Sequence, residues 1–143
     1  MITVKIVPNR MSADRYRSEP PRRLVFDEAS WRLSISPHVW SPPTDLYETE
    51  ENIVVLVEIA GMGDNDFSIV IEKNFLIIAG NRPDVAERRA FYQMEIPFGE
   101  FGTRIEIPKA IDIEKVEAIY QDGFLKITLP KAKPTQIQIT DKD

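Results

Sequence analysis

Few side chains in this 143-residue chain are of the kinds that carry covalent or metal chemistry. There is no cysteine, and His38 is the single histidine. Without cysteine there is no thiolate nucleophile, no disulfide and no cysteine-ligated metal, a composition that fits a reducing compartment. A hydrolytic triad needs an imidazole held rigidly between nucleophile and carboxylate. His38 instead lies among Pro37, Pro42 and Pro43, with no strand to hold it, and reads as a solvated linker residue. One histidine is also a poor start for a zinc site. Glu48, Glu50 and Glu51 are the raw material of an acid–base pair, but at a strand-end turn they read as a solvated face. Gly61-Met62-Gly63 lies in a loop, yet no G-x-x-x-x-G-K-[ST] run exists to cradle a nucleotide. The chain is therefore expected to be no enzyme, to use no cofactor or metal, and to act without ATP.

The residues that remain to be explained are apolar and sit outside any obvious core. Ile137-Gln138-Ile139 follows the Pro134 break in a polar tail. An alternating apolar pair on an extended segment is costly to leave in water, and it docks by adding a strand to a sheet edge or filling two pockets there. Each isoleucine is worth roughly 1.5–3 kcal/mol at full burial, enough to couple subunits and weak enough to release. The same tail could also lie back on its own domain as an extra strand. Phe91, Tyr92, Gln93, Met94, Glu95 and Ile96 form an alternating run on a long loop. Such a run either closes a local hairpin or pairs with a partner's exposed edge. Val25, Phe26, Trp31, Leu33, Ile35, Val39 and Trp40 are scattered through residues 1–43, too few for a core of their own. They must bury in the body, in an oligomer, or on a non-native protein.

The elements that position these groups are strands. Asp122-Gly123 is a strong two-residue hairpin signal, because both residues tolerate the positive φ of a type I′ turn. It joins two alternating runs, Lys115–Gln121 and Phe124–Leu129, and Pro130 ends the second because it has no N–H to donate. Further strands are expected over Asp45–Thr49, Ile53–Ile59, Phe67–Glu72, Phe75–Gly80, Phe91–Ile96 and Phe101–Ile107, with a tight turn at Lys73-Asn74. Regularly spaced short strands predict an all-β sandwich. Ahead of it, Ile2–Val7 alternates and is stopped by Pro8, residues 9–23 are polar, and a short amphipathic helix is expected near Asp27–Leu33. The predicted division is an arm over 1–43, a domain over 44–131 and an extension over 132–143. No apolar run approaches the ~18 residues of a membrane span and no N-terminal leader pattern is present, so a cytoplasmic protein is expected.

Charge adds a secondary possibility. The net charge is −5, yet residues 1–23 carry Lys5, Arg10, Arg15, Arg17, Arg22 and Arg23 against Asp14 and Glu19 only. A basic arm on an acidic body can meet nucleic acid or a neighbouring subunit. Only Tyr16 offers a stacking ring among those arginines, which favours the subunit; neither nucleic acid nor membrane is expected as a partner.

The run from Ala118 to Lys131, with Ala118, Gly123, Leu125, Ile127, Leu129, Pro130 and Lys131 in place, resembles the signature A-x-x-x-x-G-x-L-x-[IV]-x-[LV]-P-[KR] of the small heat-shock proteins, the α-crystallin-domain family. The resemblance extends over about residues 40–139. Trp40 to Thr49 looks like the family's domain start, Phe75 to Gly80 its L-x-I-x-G strand, Phe98-Gly99-Glu100-Phe101 its [YF]-G-x-F, and Ile107-Pro108 its leucine-proline. The 17 residues between Gly80 and Phe98 match the long loop of bacterial and plant-type members. Three positions depart: Ala60 stands for a proline, Thr103 occupies an arginine slot with Arg104 after it, and the loop run is less basic than usual.

The resemblance implies an immunoglobulin-like antiparallel sandwich and an ATP-independent holdase that keeps unfolding proteins from aggregating. It implies that Phe91–Ile96 is exchanged between subunits to make a homodimer. It also implies that Ile137 and Ile139 dock in a neighbour's groove to make larger homo-oligomers. The two strands bounding that groove offer Phe67, Ile69, Ile71, Val116, Ala118 and Tyr120 as candidates. Val25, Phe26, Trp31, Leu33, Ile35 and Trp40 are the candidate client-binding groups of the arm. The competing reading is a monomeric co-chaperone or adaptor of the related CS-domain type, which needs neither the exchanged strand nor the docked tail.

Overall fold

The computed structural model describes residues 2–7, 39–134 and 138–141. Eight strands follow in chain order: β1 Val4–Val7, β2 Thr44–Glu48, β3 Asn52–Glu58, β4 Phe67–Glu72, β5 Phe75–Arg82, β6 Gly99–Glu106, β7 Glu117–Gln121 and β8 Phe124–Pro130. One sheet has the order β1-β4-β5-β6 and the other β2-β3-β8-β7. All pairings are antiparallel except β1 with β4, which run parallel.

Period-2 patterning sets the core. In β3, Ile53, Val55 and Val57 are fully buried and lie opposite Leu129, Ile127 and Leu125 of β8, also fully buried. In the other sheet Ile69 and Ile71 of β4 oppose Ile78 and Leu76 of β5. These two apolar faces, with Ile59, Phe101 and Ile107, form one cluster between the sheets. A one-residue slip would turn either face to solvent, so the pattern holds the register. The expected turn forms at Asp122 (φ 53) and Gly123 (φ 81), both in the left-handed region that a type I′ hairpin requires. The turn at Lys73 also carries positive φ, 56.

Two expectations change. Residues 91–96, predicted as a strand, form none in the single chain. A strand exists only with a ladder partner, and no sheet edge among the described residues pairs with them. The loop is anchored instead at its ends: Arg82 donates from Nε to the Pro97 carbonyl at 2.9 Å, and its guanidinium stacks 4.4 Å from the Trp40 ring and 5.5 Å from Phe98. Trp40, expected in the arm, is instead part of the sandwich. It is half-buried, bridges to Phe101, lies 5.6 Å from that ring, and donates from Nε1 to the Gly99 carbonyl at 3.4 Å. A linker-like sequence around it hides a partner 61 positions away. The predicted Asp27–Leu33 helix falls outside the described residues, as do Val25, Phe26, Trp31, Leu33 and Ile35.

Candidate assembly surfaces

Three features of the sandwich leave a strand edge or apolar side chains open. The first is the edge of β2. Among the described residues this strand pairs only with β3, and Leu46 and Tyr47 on it are exposed. An edge with unpaired backbone groups and apolar side chains invites another strand. The sequence places a carboxylate cluster beside it, and of these the Glu48 side chain is held in ion pairs. Glu48 accepts from Lys109 Nζ at 2.5 Å and pairs with Lys131. The hydrogen bond from Lys109, and then that from Lys131, hold the Glu48 carboxyl below its ordinary 4.5. That is the opposite direction from a general acid working at neutral pH. Lys131 also donates from Nζ to the Glu50 carbonyl at 3.1 Å and from its backbone to Glu51 at 2.9 Å. The lysine that closes the Leu-Pro-Lys run thus fastens the end of β8 to the turn between β2 and β3.

The second feature is the 91–96 segment. Phe91, Tyr92, Met94 and Ile96 are all exposed, Tyr92 completely. Four large apolar groups on one unpaired segment form a patch of the sort that marks a contact surface. Arg89 stands over Phe91 at 4.7 Å and is paired with Asp84 at 2.6 Å, which orders the approach to the segment.

The third is a groove, the gap where the two sheets part, between β4 and β7, along which β1 runs paired to β4. A cavity of about 580 Å³ remains between β1 and β7. Val116, Ala118 and Tyr120 line one wall, and Ile2, Val4 and Ile6 line the other. Asp64, Glu114 and Glu117 also border it. Tyr120 shapes the wall. Its hydroxyl donates to the Ile59 carbonyl at 2.8 Å and accepts from Met62 N–H at 3.4 Å, and its ring lies 5.1 Å from Phe67. Of the six groove candidates, the three on the β7 side line the cavity. Ile69 and Ile71 do not: they are buried in the core, because in β4 the residues facing β5's Ile78 and Leu76 point between the sheets. Phe67 is half-buried between Tyr120 and Phe101. Ile2, Val4 and Ile6 were not foreseen as wall residues. Their alternation signalled a strand, but nothing in it named the parallel partner β4.

Among the described residues no three His, Cys, Asp or Glu side chains are placed to hold a metal ion. Gly63 N–H donates at 2.8 Å to Asp66 Oδ2, so this glycine loop closes on its own carboxylate. His38 and Ile137 lie outside the described residues; Ile139 is described and is 88% exposed. No helix among the described residues is long and apolar enough to cross a membrane.

Comparison with known proteins gives this architecture its relatives. Residues 45–141 match the Hsp20/alpha crystallin family. An 18 kDa antigen of Mycobacterium leprae is 32% identical over 127 residues, 86% of this chain and 84% of that protein. A 17.7 kDa class II heat shock protein of Arabidopsis thaliana is 33% identical over 127 residues, 86% of this chain and 76% of that one. Among solved structures, heat shock protein 16.0 from Schizosaccharomyces pombe aligns with a TM-score of 0.61 at 30% identity, covering 78% of this chain and 82% of its own. A small heat-shock protein from Xylella fastidiosa, described as having a distinct high order structure, aligns at 0.60 with 26% identity, covering 71% and 98%. With the sandwich, the Leu-Pro-Lys closure and these relatives in agreement, the chain belongs to the Hsp20/alpha crystallin family of small heat-shock proteins.

Proposed function

We propose that this chain is an ATP-independent holdase: it binds proteins that are losing their fold and keeps them from aggregating. The observation that carries the reading is the pairing of two incomplete surfaces on one chain, the exposed apolar segment 91–96 and the open edge of β2 with Leu46 and Tyr47 exposed. Each supplies what the other lacks. In a homodimer the segment of one subunit adds a strand to the β2 edge of its partner, and the reciprocal exchange covers both patches. The tail, residues 132–143, then joins dimers by placing Ile137 and Ile139 in the groove of a neighbour. The high order structure ascribed to the Xylella relative supports such self-association. The arm, residues 1–43, supplies Val25, Phe26, Trp31, Leu33 and Ile35 as side chains that re-pack on varied client surfaces. The domain between, residues 44–131, is the rigid platform. The working compartment is the cytoplasm.

Holding needs no chemistry. Binding the unfolded state lowers its free concentration by mass action and slows the bimolecular step to aggregates. The test is light scattering from a heat-labile client warmed with equimolar chain and no nucleotide. The expected result is suppressed scattering. Scattering equal to that of the client alone refutes the holdase. A chain that runs as a monomer at all concentrations favours the CS-type adaptor instead.

A further inference from the structure

β1 lies in the groove just described, and its chemistry matches that of the tail. Ile2-Thr3-Val4 has the same two-residue spacing of branched apolar side chains as Ile137-Gln138-Ile139. Ile2 and Val4 are half-buried and packed against the core cluster. Four consecutive residues, Val4 to Val7, pair with Ile69 to Glu72 of β4. A strand edge has one row of N–H and C=O groups and pairs with one strand at a time. With β1 in place, the β4 side of the groove is taken.

We propose that the N-terminal segment Ile2–Val7 is a built-in occupant of the β4–β7 groove, which must leave β4 before a tail can dock there. This rests on the reading of the groove as the tail's dock. It makes the groove a two-state element whose occupant is chosen by relative affinity. When β1 holds β4, tails are free and dimers are released; when β1 lets go, the tail joins subunits and the arm is freed from its anchor at Val4–Val7. A ligand binding only the open state loses apparent affinity in proportion to how seldom that state is populated.

The experiment uses the full chain carrying Ile137→Ala and Ile139→Ala, so that its own tails do not compete. A fluorescent peptide of residues 132–143 is titrated into this chain and into the same chain with Ile2→Ser and Val4→Ser added, following anisotropy. Both changes sit at a sheet edge, and circular dichroism checks that the sandwich is intact in each. The expected result is binding at least tenfold tighter after the two N-terminal changes. Equal binding to both chains overturns the proposal while leaving the tail dock standing. Weaker binding overturns it too, by making β1 a wall of the site instead of its occupant. Binding to neither chain refutes the tail dock and the competition together. A second readout is independent of the peptide: slow hydrogen exchange at residues 4–7 is expected in the Ile137→Ala/Ile139→Ala chain, where no tail competes for β4, and exchange there as fast as in an unfolded peptide overturns the proposal outright.

Discussion

Gly80 sits where a methyl group has no room. A Cβ there would lie 2.6 Å from the Phe101 ring and 2.6 Å from the Asp66 carbonyl oxygen. In the register of β5 and β6, Gly80 faces Phe101, so the missing side chain is what lets that ring fill the core. Gly80→Ala is expected to destabilise the sandwich by about 2–3 kcal/mol, the upper part of the overpacking range, measured by urea unfolding; a change under about 0.5 kcal/mol, the scale of an ordinary surface substitution, contradicts the packing described. Glu48 makes a different prediction. Its folded pKa lies below 4.5 because Lys109 and Lys131 favour the charged form. A group with a depressed folded pKa adds stability above its unfolded value and loses it as pH falls through the folded one. The stability difference between the unaltered chain and Glu48→Gln is therefore expected to be present above pH 4.5 and to vanish as acid takes the pH below it. It should also shrink in high salt, since this carboxylate is open to solvent. A pH-independent difference would mean that the two lysines act through packing alone.

At the scale of elements, hairpins and inward faces were legible because their rules are local. Asp122-Gly123 demands its turn, and Ile53, Val55, Val57 and Leu125, Ile127, Leu129 declare one face each by alternation. What escaped were partners distant in the chain. Trp40 meets Phe101 and Arg82 only once the loop after β5 has come back. The partner of β1 is parallel and far away, so no turn announces it. The 91–96 run shows the converse. Its pattern is that of a strand, yet among the described residues it has no ladder partner. Alternation places Tyr92, Met94 and Ile96 on one face. Changing all three to serine is expected to leave the sandwich folded and to shift the dimer–monomer midpoint, measured by sedimentation, to at least tenfold higher concentration. A variant that dimerises as before would assign this patch to another partner.

The whole molecule is a small rigid sandwich carrying three unfinished surfaces: an open β2 edge, an unpaired apolar segment, and a groove already holding one strand. The fold and family were readable from the signature hairpin and the ordered motifs around it. The seat of β1 against β4 was not, because the alternation of Ile2, Val4 and Ile6 names no partner. In the proposed assembly, subunits are joined through that groove by the tail, and native mass by light scattering on a sizing column, for the unaltered chain and for Ile137→Ala/Ile139→Ala, reads this out. With a 16.4 kDa subunit, a large assembly is expected for the first and a dimer for the second. An assembly of unchanged mass in the variant would contradict it.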